Sequence, residues 1–247
     1  MKKENPTCLN CSTPLVGVYC HACGQSSKEG RITNRRLLVE IPATGIDVKR
    51  GFAHSIWTLA TKPAATIKTY LEGKRVSHYK PFALLLGLLL VYFLIGSWLG
   101  WGNDLVEINE GKDSGVGKFL SENPQILSVF SMIFIALGMR LTLFKAGYNY
   151  AEHLYIHCFV LIVIQIYAII LGPVIVQFIS ADIFSVTTVF IQIILSCFVY
   201  YKLLHHKMNG AVIVLLTLLG HILSLILIAI VAVGILLLIF SVFPTAA

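Results

Sequence analysis

The sequence predicts an all-α integral membrane protein of about five transmembrane helices with a small N-terminal zinc ribbon. Three observations predict it. Of the 247 residues, 57% are apolar and only 13% charged, where a soluble domain runs nearer half and a quarter. The charge is segregated: thirteen of the 19 Lys/Arg lie between Lys2 and Lys80, ahead of the long apolar runs. Two C-x2-C pairs, Cys8 with Cys11 and Cys20 with Cys23, precede everything that could enter lipid. A disordered chain, a disulfide miniprotein and a soluble globule are excluded together. Three parts follow: a cytoplasmic zinc ribbon over 1–30, a basic amphipathic interfacial segment over 31–80, and a transmembrane helical domain over 81–247.

In the first part, each C-x2-C pair places two thiolates on one tight turn, and two such turns facing each other complete a tetrahedral S4 site. Eight residues separate the pairs, and Gly24 follows the second one, supplying the open backbone such turns favour. A reducing cytoplasm favours metal over disulfides. The expected ligands are therefore Cys8, Cys11, Cys20 and Cys23 and the expected cofactor is zinc, with a rubredoxin-like iron site as the alternative and His21 as a bystander. So short a ribbon draws much of its folding free energy from the metal. No Lys or Arg lies between Cys8 and Cys23, so no nucleic-acid partner is expected. Cys158 and Cys197 sit inside apolar runs and read as small hydrophobes.

Met1-Lys2-Lys3 is followed by Glu4-Asn5-Pro6 and then the cysteines, where a secretory signal would have its apolar region. The first 80 residues are thus expected to belong to the mature protein. Within them, Phe52, Ile56 and Leu59 form one helical stripe with Trp57 beside it. A second short helix is expected from Pro63 to before Gly73, with Ile67, Tyr70 and Leu71 on one face. Lys62, Lys68, Lys74, Arg75 and Lys80 accompany it. That pattern is the one expected of a helix lying in the headgroup plane against anionic lipid, each cation contributing about 1 kcal/mol near the surface. A plain positive-inside anchor without a specific ligand is the simpler reading. Lys74, Arg75, Lys80 and Arg140 are the candidate lipid or phosphate contacts.

Five apolar runs are long enough for a span of about 20 residues: 81–101, 126–144, 151–171, 183–204 and 211–243. The last is read as one tilted helix with an interfacial start. Backbone polar groups in lipid must be satisfied internally, which makes these helices rather than strands. With the N-terminus inside, seventeen of the 19 cations fall on the inner side; only Lys112 and Lys118, in the carboxylate-rich 102–125 loop, fall outside. Trp98 and Trp101 would form the outer aromatic belt and Tyr200 and Tyr201 the inner one. The expected location is the inner (cytoplasmic) membrane, multi-pass, with the N-terminus cytoplasmic and the C-terminus outside.

Ionisable groups in or near the spans are the main functional lead, since they are costly in lipid. His153 and His157 are four residues apart on one helical face, a spacing that can hold a metal ion. Glu152 precedes them, His205 and His206 end the fourth span, and His221 lies about 15 Å into the fifth. Glu152, His153, His157, His205 and His206 are the catalytic candidates. Each has a structural alternative: Asn149 and Glu152 fit a capping box, Arg140 can snorkel, and His221 can bond a neighbouring helix. An H-x3-H pair with a His-His pair also resembles the boxes of membrane di-iron hydroxylases, but those use more boxes than eight histidines provide. G-x-S-x-G, G-x4-G-K-[ST] and H-E-x-x-H are absent, and no inverted repeat is visible.

The order C-x2-C, then C-x2-C-G-Q over Cys20–Gln25, then Tyr70-Leu71-Glu72-Gly73-Lys74-Arg75 and Tyr79-Lys80-Pro81-Phe82, then Asn149-Tyr150-Ala151-Glu152-His153 with His157, resembles a family of bacterial membrane proteins known as a domain of unknown function. Its members join an N-terminal zinc ribbon to several C-terminal spans. The resemblance covers the chain to about Cys158. It implies a bacterial inner-membrane protein, singles out the Gly73–Arg75 and Glu152–His157 neighbourhoods, and brings no activity. The reading favoured is a non-enzymatic membrane module whose ribbon and basic helices dock a cytoplasmic protein partner or anionic lipid, in transport or signalling. A metal-dependent lipid-modifying enzyme using the inner-leaflet His/Glu cluster is the alternative, and an oligomeric pore with His221 facing its lumen the second.

Overall fold

The computed structural model describes residues 7–40, 51–99, 124–175, 177–179 and 181–242. The expectations for the 102–123 part of the outer loop, its cations Lys112 and Lys118, and Trp101 lie outside the described residues. Among the described residues, eight α-helices follow the ribbon: α1 Asn34–Glu40, α2 Phe52–Thr61, α3 Pro63–Leu71, α4 Pro81–Leu99, α5 Pro124–Thr142, α6 Tyr150–Ile175, α7 Ala181–Leu204 and α8 Gly210–Val242, with a 3-10 turn, Phe144–Ala146, between α5 and α6. The fold is all-α, and among the described residues β-pairing is confined to isolated bridges in the ribbon.

Among the described residues, four helices are long and apolar enough to cross a membrane: Pro81–Leu99, Tyr150–Ile175, Val186–Leu204 and Gly210–Ile235. The expected run near 126–144 forms α5, whose 19 residues rise about 28 Å; its described apolar stretch is Leu127–Thr142. α8 is one continuous helix, as its unbroken apolar run requires.

α6 is the centre of the bundle. Every residue from Ala151 to Val163 is buried, and α4, α5, α7 and the three short helices all pack against it. A helix apolar on all sides is one surrounded by others. α5 in turn lies along α8. Where they cross, Gly138 and Gly220 let the backbones approach closely, the small-residue contact that membrane helices favour.

The basic segment forms a helical hairpin against the flank of α6. Leu59 and Ile67 are fully buried, Tyr70 and Leu71 nearly so, while Trp57 is 71% exposed. Pro63 opens α3 where its missing N–H costs nothing. The hairpin tip reaches far along α6: Tyr167 Oη donates to Ala60 O at 2.7 Å, about 26 Å up the helix from Tyr150. At the other end Tyr70 is the hub. Its ring stacks on Tyr155 at 5.8 Å, meets Phe159 edge-on at 5.0 Å, and Phe82 of α4 reaches Tyr155 at 5.1 Å. Each such aromatic pair adds about 0.5–1.5 kcal/mol beyond burial.

Between the hairpin and α4, Tyr79 N donates to Ser55 Oγ at 2.7 Å, and the His78 ring lies 5.6 Å from that of His54. Burial first, then the neighbouring His54, pushes the His78 pKa down from 6.5 to about 4. The unfolded chain therefore binds the extra proton, and stability falls as pH drops from about 6.5 to about 4. Thermal melts in detergent should show that slope in the wild type and a flatter profile over the same window in His78→Gln. Equal slopes would remove His78 as their cause.

Candidate functional site

The ribbon consists of two copies of one turn. Cys8 N donates to Thr13 O and Ser12 N to Cys8 O; twelve positions on, Cys20 N donates to Gln25 O and Gly24 N to Cys20 O, all at 2.8–2.9 Å. The residue after each pair takes a left-handed backbone, Ser12 at φ 62° and Gly24 at φ 77°, which turns the second thiolate back toward the first. Gly24 is read from the sequence for this; Ser12 carries the same duty without glycine. The four sulfurs all lie within 4.8 Å of one another. Cys8 and Cys23 are 3.5 Å apart, as are Cys11 and Cys20, and none is disulfide-bonded. A tetrahedral S4 site with ~2.3 Å metal–sulfur bonds has edges of about 3.8 Å, so this donor set fits a metal ion. Thr13, hydrogen-bonded to Cys11 through side chain and backbone, holds that thiol down to about 6. Desolvation pushes the Cys23 thiol up to about 12.

The ribbon is clamped to the rest of the chain through residues that the sequence places far apart. Gln25, buried, donates from Nε2 to Gly73 O at 2.9 Å and accepts from Arg75 N at 3.3 Å. Gly73 has φ +105°, and a side chain there would strike Leu9 of the ribbon. Arg75 is 7% exposed. It donates to Glu29 Oε2, to Gly30 O at 2.6 Å and to Tyr70 O at 3.4 Å, with its guanidinium 5.6 Å from the Tyr70 ring centre. Glu29 also pairs with Arg36. Burial works against the Glu29 charge, but Arg36 and Arg75 together hold its pKa below the usual value. Arg75, expected as a lipid or phosphate contact, is thus committed to this clamp. Lys74 and Lys80 are exposed and Arg140 half-buried.

A second clamp sits on the first turn of α6. Arg31 Nε and Nη2 donate to the two oxygens of Glu152 at 2.8 and 2.7 Å, and Nη2 also reaches Gly147 O. The Glu152 bond holds the Arg31 pKa above its ordinary value, against desolvation. Asn149 Nδ2 donates to Ile32 O at 2.7 Å. The capping box forms as the spacing predicts: Asn149 N donates to Glu152 Oε2 at 2.8 Å and Glu152 N to Asn149 Oδ1 at 2.9 Å. Glu152 is therefore both helix cap and ribbon anchor.

Behind it lies a buried polar string. His153 Nδ1 is 2.7 Å from Tyr200 Oη, and the same hydroxyl is 3.5 Å from His157 Nε2. The His157 ring lies 5.9 Å from that of His221 on α8. All four side chains are buried, and His153 Nε2, His157 Nδ1 and His221 Nε2 have no hydrogen-bond partner among the described residues. Tyr200 is a correction: expected in an aromatic belt with Tyr201, it is fully buried, whereas Tyr201 is 40% exposed. Neighbours on a helix point about 100° apart, so one faces α6 and the other outward. His205 and His206 are exposed beyond the end of α7. His206 shares a cleft of about 190 Å³ with Lys68, Glu72, Tyr148, Glu152 and Lys207, apart from the buried string. Among the described residues, only the four cysteines gather three or more metal-ligating groups.

A family model described as protein of unknown function (DUF3667) matches residues 50–93. That stretch is the α2–α3 hairpin, the Gly73–Arg75 turn and the first part of α4. No curated protein and no solved structure matches the chain.

Proposed function

We infer that the chain is a non-enzymatic bacterial inner-membrane protein whose zinc-holding ribbon, on the cytoplasmic side, is latched to the transmembrane bundle and passes its state into α6, in signalling or transport. The observation that carries this reading is the Arg31–Glu152 pair on the capping box of the central helix. It couples ribbon position directly to the helix against which α4, α5, α7 and the three short helices pack. The charge asymmetry supports the orientation. Alternating helix direction supports it too: Tyr200 near the end of α7 meets His153 near the start of α6.

Two surfaces remain for partners. The loop between the metal turns exposes Val16, Val18 and Tyr19 at 90, 47 and 67%, an apolar tip suited to a cytoplasmic protein. Lys68, Lys74 and Lys80 are exposed around the hairpin base and suit anionic headgroups.

The test pairs metal content with limited trypsin digestion of the detergent-purified protein. Wild type should carry zinc and resist cleavage at Lys28, Arg31 and Arg35. Chelation, or Cys8→Ser with Cys11→Ser, should remove the metal and with it about 10 kcal/mol or more of local folding free energy, opening those sites. Arg31→Ala removes one of these sites; it should keep the zinc yet open the other two, Lys28 and Arg35. Protein that binds no zinc, or that stays equally resistant without it, would overturn the latch.

A further inference from the structure

We propose that His153, Tyr200, His157 and His221 form a proton-relay string through the bundle interior, and that the protein conducts protons along it. This goes beyond the latch and does not depend on it.

The geometry assigns each group a place. Tyr200 Oη carries one proton and stands between two imidazole nitrogens, at 2.7 Å from His153 Nδ1 and 3.5 Å from His157 Nε2. The other ring nitrogen of each histidine, His153 Nε2 and His157 Nδ1, is buried with no hydrogen-bond partner among the described residues. His221, whose own Nε2 is also unpartnered there, continues the string from α6 to α8 at 5.9 Å between rings. A proton taken up at His153 Nε2 releases the one on Nδ1 to Tyr200 Oη. Tyr200 passes its own proton to His157 Nε2, and His157 releases one from Nδ1 toward His221. Each bond to hydrogen broken is matched by one formed, and one proton enters for each that leaves. Imidazole and phenol both donate and accept, so the string needs no other cofactor.

A purely structural role fits these residues poorly. Each buried polar atom without a partner costs about 1–3 kcal/mol, and leucine or phenylalanine would fill the same space without that cost. Further polar side chains are buried along the same helices: Gln165 on α6, Gln192 and Ser196 on α7, and Thr217 and Ser224 on α8, with Gln165 Oε1 unpartnered among the described residues. By helical rise Gln165 lies about 22 Å along α6 from Tyr150, deep in a ~30 Å hydrocarbon core. The charged and titratable groups around the His153 end of the string are Tyr148, whose ring is 6.0 Å from that of His153, Arg140 of α5, which acts on His153 electrostatically, and Glu152, which Arg31 neutralises. From α7 and α8 the groups brought to the string among the described residues are Tyr200 and His221 themselves. The fixed positive charge of Arg140 favours a string that passes protons on over one that stores them.

The test uses the full-length protein in liposomes that enclose a pH-sensitive dye, with a potassium diffusion potential of either sign driving protons. Wild type should acidify or alkalinise the lumen according to the sign. Tyr200→Phe, which removes one oxygen and keeps the ring, and His157→Leu should both fall to the rate of empty liposomes. His205→Gln, exposed and outside the string, should conduct as wild type does. Melting temperature and gel filtration establish that each variant is folded. Wild-type rates equal to empty liposomes at both polarities would overturn the proposal, as would folded Tyr200→Phe protein conducting like wild type. A sodium or potassium flux without a proton flux would overturn it too.

Discussion

Arg75→Ala should lower the stability of the protein by about 3–5 kcal/mol, the usual cost of removing one partner of a buried, hydrogen-bonded charge pair. The guanidinium is enclosed by Glu29, the carbonyls of Gly30 and Tyr70, and the Tyr70 ring. Alanine would leave a partly buried carboxylate with only Arg36 and would strand both carbonyls. Arg75→Lys should recover only part of the loss, since one ammonium cannot reproduce the planar fork. Thermal unfolding in detergent reads the effect. The exposed neighbour Lys74 separates two roles: Lys74→Ala should melt like the wild type but bind anionic vesicles less well, with the loss relieved at high salt. If Arg75→Ala melts like the wild type and loses vesicle binding instead, Arg75 is a lipid contact and the clamp does not hold the ribbon.

Gly138→Ala should be the most damaging single-methyl change in the bundle. A Cβ at this position would overlap Gly220 O and stand 3.3 Å from Ser224 N. Both are backbone atoms of α8, so relief requires the helices to separate. Overpacking of this kind costs about 1–3 kcal/mol. Gly220→Ala should cost less, because its Cβ would meet the flexible ends of Met139 and Thr142 at 2.7 and 3.0 Å. Gly87→Ala on α4, with nothing within 4 Å, should be neutral or slightly stabilising. Melting temperatures in the order Gly87→Ala, Gly220→Ala, Gly138→Ala from highest to lowest are expected, and the reverse order would contradict the crossing. Moving α8 would also draw His221 away from His157, so Gly138→Ala should slow any proton flux without touching the string itself.

Much of the site can be read in the sequence wherever it depends on neighbours in the chain. The cysteine spacing gives the metal turns, Asn149 and Glu152 give the cap, and Pro63 with the Ile67–Tyr70–Leu71 face gives α3. The two neighbourhoods singled out by resemblance, Gly73–Arg75 and Glu152–His157, are the two places where the ribbon and its linker are clamped. What they clamp could not be read, because Gln25 meets Gly73 across 48 positions and Arg31 meets Glu152 across 121. The alternative grouping of His153 and His157 with His205 and His206 met the same limit. A four-residue spacing fixes a shared helical face but not which helix that face meets.

By itself the sequence determined the helical class, the membrane-length runs and the cysteine metal turns, because these follow from composition, period and short spacing. The tertiary structure decided that Arg75 is buried in a clamp, that the basic hairpin stands against α6, and that Tyr200 and His221 close on the α6 histidines. Each of those is a contact between distant segments. Burial of a polar side chain among such contacts is a property of the packed bundle, set by which helix faces meet, and no local pattern in the chain encodes it.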